Sequence, residues 1–225
     1  MENLELDEDI KENFFFLSEK ESFWFDLTNT YRLPFFILDM LCDTTLEISY
    51  ESLIGIAKNI STIVYEYCDF VDGDFIEDAL NKMCKLYNFD EKDTSRMILS
   101  GYLSNIGLLK IPQHIVQKPQ QLTSLEYEII KSAPYHTKQI LLAVFGFDDI
   151  VKLASSIYER IDGSGYPYKL DGSELGLKNR VLSVVFIAKA LGENRKYRKA
   201  FLVNDILNEL EIISIKSNLN KKFII

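Results

Sequence analysis

The stretch Glu159–Gly172, ERIDGSGYPYKLDG, sets Arg160 and Asp162 beside Gly163, Ser164, Gly165, Tyr166 and Pro167. Glycines there allow backbone conformations closed to other residues and Pro167 stiffens the exit, so the stretch reads first as a turn between helices. It is not a phosphate-cradling P-loop, for no G-x-x-x-x-G-K-[ST] follows Gly163. It also lacks the third glycine, and the preceding strand, of a dinucleotide fingerprint. A second group, Lys178, Arg180, Arg195, Lys196, Arg198 and Lys199, offers positive charge to an anion or an acidic partner, or else forms solvated helix ends. The chain has two histidines, His114 and His136, and for each a surface or capping role is expected. Cys42, Cys68 and Cys84 are odd in number and lack a C-x-x-C pair, so they read as reduced core thiols rather than disulfides or a zinc site.

The elements that must position these groups are helical. Glu51–Cys68 carries Leu53, Ile56, Ile60, Ile63 and Val64 at helical spacing. Phe75, Ile76, Ala79, Leu80, Met83 and Leu86 mark one face of the next helix. DTSRMILSGYLSNIGLL continues the pattern after an Asp-Thr-Ser cluster suited to an N-cap. Pro112 and Pro119 forbid a continuous helix over KIPQHIVQKPQQ and imply an extended connection. Thr123 and Glu126 stand at capping-box spacing before an apolar run, and Pro134 breaks or restarts that helix. DDIVKLASSIYERI is expected to run as a helix into the glycine loop, LKNRVLSVVFIAKAL to run out of it, and Phe201–Ile213 to close the chain.

Bulk composition narrows the function classes. The chain has 225 residues, 47% of them hydrophobic with 15 Phe and 12 Tyr, enough to bury a core. A net charge of −9 argues against a general nucleic-acid binder, which needs a clustered basic face. The acidic start has no basic n-region ahead of an apolar h-region, and Val181–Leu191 is too short to span a bilayer, so a cytoplasmic protein without membrane insertion is expected. The all-α reading divides the chain into an aromatic, acidic N-terminal helical extension, residues 1–48, with the one Trp (Trp24), and a domain over residues 49–225.

Longer strings carry a resemblance. YERIDGSGYP resembles the signature of HD-GYP domains, where two histidines, a Glu and an Arg run into D-G-S-G-Y-P. LSNIGLLKIPQHIVQKPQQLTSLEYEIIKSAP is similar to the family's HD-I-G-K segment and the two stretches after it, and NRVLSVVFIAKALGENRKYRKAF to its A-R-I-I-x-V-A-D and R-P-Y-R-x-A segments. The resemblance covers roughly Asp72 to Phe201. It implies an all-helical HD-superfamily fold and, in active members, a two- or three-metal centre that hydrolyses cyclic di-GMP. Residue by residue, it places Ser104 and Asn105 at the His-Asp doublet, Leu108 at the motif's lysine, and Ala133 at the histidine before Pro134. Ile157 and Tyr158 stand at the paired histidines, Phe186 at the Asp of V-A-D, and Asp72 near an upstream ligand position. Ile, Phe and Ala offer a metal no lone pair, and a family that uses at least four ligand histidines is matched by a chain with two.

The expectation is therefore a bacterial signalling protein that is not an enzyme and carries no metal or other cofactor. It would dock partners such as diguanylate cyclase (GGDEF) domains, or bind cyclic di-GMP, through Arg160, Asp162, Gly163, Ser164, Gly165, Tyr166 and Pro167. Two alternatives stand beside it: a cyclic di-GMP phosphodiesterase with Asp72, Asn105 and Glu159 as unorthodox ligands, and an interaction protein working through its N-terminal extension.

Overall fold

The computed structural model describes residues 7–19, 47–70, 75–193 and 199–216, in two units, Met1–Glu47 and Ile48–Ile225. In the first unit the described element is helix α1, Glu8–Ser18, whose Phe14 and Phe15 rings meet edge to face at 6.2 Å. Most of the aromatic segment read as an extension, Trp24 included, lies outside the described residues.

The second unit is built from helices: α2 (Tyr50–Cys68), α3 (Phe75–Leu86), α4 (Glu91–Leu103), a 3-10 turn (Ile106–Lys110), α5 (Gln113–Val116), α6 (Ser124–Lys131), α7 (Ala133–Leu141), α8 (Asp148–Ala154), α9 (Leu177–Gly192) and α10 (Val203–Lys216). Among the described residues there is no strand, only a single antiparallel bridge between Asp162 and Asp171, so the chain is all-α as the periodicity predicts.

Local chemistry fixes several of the helix starts. The Ser49 side chain accepts from the Ser52 N–H at the head of α2, and Thr123 and Glu126 form the reciprocal capping box at the head of α6, each cap typically contributing about 1 kcal/mol. Pro134 sits in the first turn of α7, where its missing N–H costs nothing, so the proline restarts a helix one residue after α6 ends. Asp90, not the Asp93–Ser95 cluster, caps α4, accepting from Asp93 N at 2.6 Å. The connection after Pro112 is not extended: the Pro112 carbonyl accepts from Ile115 and Val116 and starts the one-turn α5.

Burial also departs from the apolar spacing. On α2 the buried stripe is Ala57, Ser61, Val64, Tyr65 and Cys68, while Ile56 and Ile63 are exposed. Small residues at 57 and 61 let α2 lie close to α4, the element it packs against most, and that approach outranks side-chain size. Met97, Leu99, Leu182, Ile76 and Leu80 centre one core cluster. Val64, Cys68, Leu108, Ile111, Ile115 and Ala133 form a smaller one under α2.

Candidate functional site

The loop is positioned by the way α8 ends. The helix stops at Ala154, short of the expected run to Ile161, and the Ser155 and Ser156 hydroxyls bond back to Val151 O and Leu153 O. Successive i→i+3 bonds tighten the chain there, Ser156 N to Leu153 O and Glu159 N to Ser156 O. Both Ile157 and Glu159 end up buried, at 1% and 2% exposure. The buried Glu159 carboxylate accepts from Tyr168 N at 2.7 Å and from Leu170 N at 3.0 Å, so one side chain clamps the far arm of the loop.

The tip of the loop is two copies of one turn. Asp162 accepts from the Ser164 N–H and hydroxyl at 3.0 and 2.6 Å, and Asp171 from those of Ser173 at 2.7 and 2.6 Å. Both are Asp-Gly-Ser triplets, and the paired serine hydroxyls are the first cause that lowers each carboxyl below its ordinary value. Gly163 turns at φ +72°, and a Cβ on Gly165 would overlap the backbone of Glu159 and Arg160, so no larger residue fits. The Tyr166–Pro167 peptide is cis. Arg160 does not brace the loop through Asp162, whose carboxylate is turned to Ser164; the guanidinium bonds weakly to the Glu159 carbonyl at 3.4 Å. Asp162 and Ser164 are exposed, whereas Arg160, Tyr166 and Pro167 are half-buried.

Behind the tip lies an aromatic cluster. Tyr166 stacks on Tyr158 with centroids 5.2 Å apart and planes 9° from parallel, and meets Tyr127 edge-on at 6.4 Å. Burial, then the neighbouring Tyr158 and Tyr127, push the Tyr166 phenol far above its ordinary range, so it stays neutral. The Tyr158 hydroxyl donates to Asn105 Oδ1 at 3.1 Å. Lys131 stands over the Tyr127 ring and Lys138 over Tyr168, at 5.4 and 4.5 Å.

Among the described residues, the other positions matched to ligands offer a metal little. The buried Ser104 hydroxyl donates to Gly101 O, and the Ser104 carbonyl accepts from the buried Thr137 hydroxyl, which in turn accepts from Gly107 N. Ile157 and Phe186 belong to the main core cluster and Ala133 to the smaller one. Asn105 is engaged by Tyr158, and Glu159 spends both oxygens on backbone N–H groups. Of the alternative ligand set, Asn105 and Glu159 are thus engaged by these bonds, and Asp72 lies outside the described residues. Among the described residues no group of three or more His, Cys, Asp or Glu side chains is placed to hold a metal ion. These residues do not fit a two-metal centre. His114 is exposed on α5, and His136 packs edge-on against Tyr135 at 5.7 Å.

The positive cluster is partly structural as well. Arg180 donates to Leu175 O and Gly172 O, and Lys178 pairs with Asp93 at 2.6 Å. Arg195, Lys196 and Arg198 lie outside the described residues. Periodicity alone misses the Glu159 clamp, the aromatic cluster and the second turn; the repeated Asp-Gly-Ser triplet is the one visible signal.

The helical architecture and this loop agree with what comparison finds: the HD domain family matches residues 41–212, and the chain belongs to that family. With its D-G-S-G-Y-P loop it is HD-GYP-like. Over 203 residues it is 26% identical to a 3'3'-cGAMP-specific phosphodiesterase of Vibrio cholerae, covering 85% of this chain and 45% of that protein. It is 27% identical over 164 residues to a cyclic di-GMP phosphodiesterase response regulator of Xanthomonas campestris, covering 70% and 42%. A cyclic di-GMP phosphodiesterase of Pseudomonas aeruginosa is 31% identical over 104 residues, covering 46% and 25%. The chain thus spans less than half the length of each of these relatives.

These matches correct the expectation that the chain is not an enzyme. That expectation rests on a handful of side chains at matched positions, whereas the matches run through most of the domain and reach proteins named as phosphodiesterases. Among the described residues no helix is long and apolar enough to cross a membrane.

Proposed function

We propose that this chain works on cyclic dinucleotides as the phosphodiesterase-type module of a signalling protein, with residues 49–225 as the HD-GYP-like domain and residues 1–48 as an extension. The observation that carries the reading is that the HD domain match, residues 41–212, and the match to a 3'3'-cGAMP-specific phosphodiesterase over 85% of the chain both take in the residues that build the loop, Arg160 and Asp162–Pro167. A cyclic dinucleotide brings two phosphates and two flat bases. The half-exposed ring of Tyr127 suits stacking, and Arg160 and Lys138 supply positive charge near the loop's tyrosines, Lys131 being paired with Glu128 at 2.6 Å. No catalytic step is assigned to a metal, because the residues at the matched ligand positions do not fit one.

The test is direct. The purified chain is incubated with cyclic di-GMP and with 3'3'-cGAMP in the presence of manganese, iron(II) or magnesium, linear dinucleotide is measured by chromatography, and binding is followed by calorimetry. Hydrolysis of either nucleotide supports the proposal. Binding without hydrolysis keeps nucleotide recognition and removes the phosphodiesterase part, and neither binding nor hydrolysis overturns the whole reading.

A second reading, favoured by the exposure of Asp162, Ser164 and Lys169 at the tip of a well-braced loop, is docking of a diguanylate cyclase (GGDEF) domain. A chain carrying Asp162→Ala and Ser164→Ala that still captures such a domain as strongly as the parent removes it.

A further inference from the structure

Two of the residues that stand where the family resemblance puts metal ligands contact each other. The Tyr158 phenol donates to Asn105 Oδ1 at 3.1 Å, across 53 residues of chain. Asn105 heads the 3-10 turn that follows α4, and its own carbonyl accepts from Leu108 N at 2.9 Å, so its side chain projects from a fixed backbone. The Tyr158 ring lies flat on Tyr166, and Tyr166 N donates to the Tyr158 carbonyl at 3.3 Å. Tyr166 in turn meets Tyr127 of α6 edge-on. Through Tyr158, the end of α4 is thereby joined to the loop, and through Tyr166 the loop is joined to α6.

We infer that the Asn105–Tyr158–Tyr166 contact is a metal-independent brace that positions the GYP loop on the domain. A phenol donor and an amide acceptor form a neutral hydrogen bond that needs no ion to balance it, and the stacked rings supply buried apolar area and an orientation. Isoleucine at 157 suits the same design, since it belongs to the core cluster against which Tyr158 packs and adds no competing polar group. Asn105 and Tyr158 act here as positioning residues, through Tyr166. The inference does not depend on the nucleotide reading, because the loop is held this way whatever it contacts.

Hydrogen exchange on the full chain, read by mass spectrometry over residues 158–172 and over α9, tests it. In the parent chain the loop's protection is expected to be unchanged by a strong chelator or by added manganese. Tyr158→Phe keeps the stacked ring and loses the donor, and Asn105→Leu loses the acceptor. Each should speed loop exchange about three- to tenfold, the factor a single net hydrogen bond contributes, with α9 unchanged. The double variant should be no faster than either single variant, because both remove the same bond. Asn105→Asp keeps an acceptor and makes the bond charge-assisted, so its loop should exchange more slowly than that of Asn105→Leu. Loss of loop protection on chelation overturns the inference, as do equal acceleration of loop and α9, full additivity of the two single variants, or an Asn105→Asp chain as fast as Asn105→Leu.

Discussion

Replacing Glu159 by glutamine measures how firmly the loop is held. The carboxylate is 2% exposed and accepts from two backbone N–H groups, those of Tyr168 at 2.7 Å and Leu170 at 3.0 Å. Glutamine keeps one oxygen but sets an NH2 where the other stood, so one backbone donor faces another donor. A hydrogen bond to a charged acceptor is worth roughly 1.5–3 kcal/mol. Relief of the desolvation of a buried charge offsets part of that loss, which leaves an expected destabilisation of about 2 kcal/mol. With a urea m-value of about 2 kcal/mol/M for a domain of this size, the unfolding midpoint should fall by about 1 M, followed by far-ultraviolet circular dichroism. Glu159→Ala strands both donors and should cost about 4 kcal/mol. A glutamine variant with an unchanged midpoint and unchanged exchange protection at Tyr168 and Leu170 would refute the clamp.

Three further outcomes follow from the same contacts. Thr137→Val removes the buried hydroxyl that serves both Ser104 O and Gly107 N, and is expected to cost about 2–4 kcal/mol in urea unfolding; a loss below about 0.5 kcal/mol contradicts the bridging role. Gly165→Ala puts a methyl group into the Glu159–Arg160 backbone, and should lower stability by about 2–3 kcal/mol and release the Tyr166 stack, seen as a changed tyrosine near-ultraviolet signal. Glu126, held at about 2 first by Lys118 and then by the Thr123 N–H, has a folded value below its ordinary 4.5, so its stabilisation is present above pH 4.5 and fades as pH falls toward about 2. The melting-point difference between parent and Glu126→Gln should therefore shrink below pH 4.5, and a difference that widens on acidification contradicts this assignment.

What can be read from the chain alone is what neighbours in sequence decide. The capping box of α6 and the restart at Pro134 depend on residues three or four apart and appear as expected. The start of α4 is harder to read because Asp90 and Asp93 are both good caps, and which one is used depends on where the preceding turn releases the chain. Spacing favours the large Ile56 and Ile63 for the buried stripe of α2, but Ala57 and Ser61 take it, since close helix approach is a tertiary matter. At the site, matching residues to a motif locates the loop, but the roles of its members come from contacts no spacing rule covers. Glu159 reaches nine and eleven residues ahead, Tyr158 reaches back to Asn105, and Asp162 bonds to Ser164 rather than to Arg160. The expectation of a chain that is not an enzyme rests on single positions such as Ile157 and Phe186, and it meets matches through the domain to proteins named as phosphodiesterases.

The Glu159 clamp also has a mechanical consequence. Because a single carboxylate gathers the amides of Tyr168 and Leu170, the chain between them and Glu159 is a closed ring, anchored at its base by Glu159 and tied near its tip by the Asp162–Asp171 bridge. Load applied at Asp162–Ser164 is therefore shared between that base and, across the bridge to Asp171 and through the Gly172 carbonyl, Arg180 of α9. Even one residue inserted between Gly165 and Leu170 would pull the two amides off their anchor and open the ring.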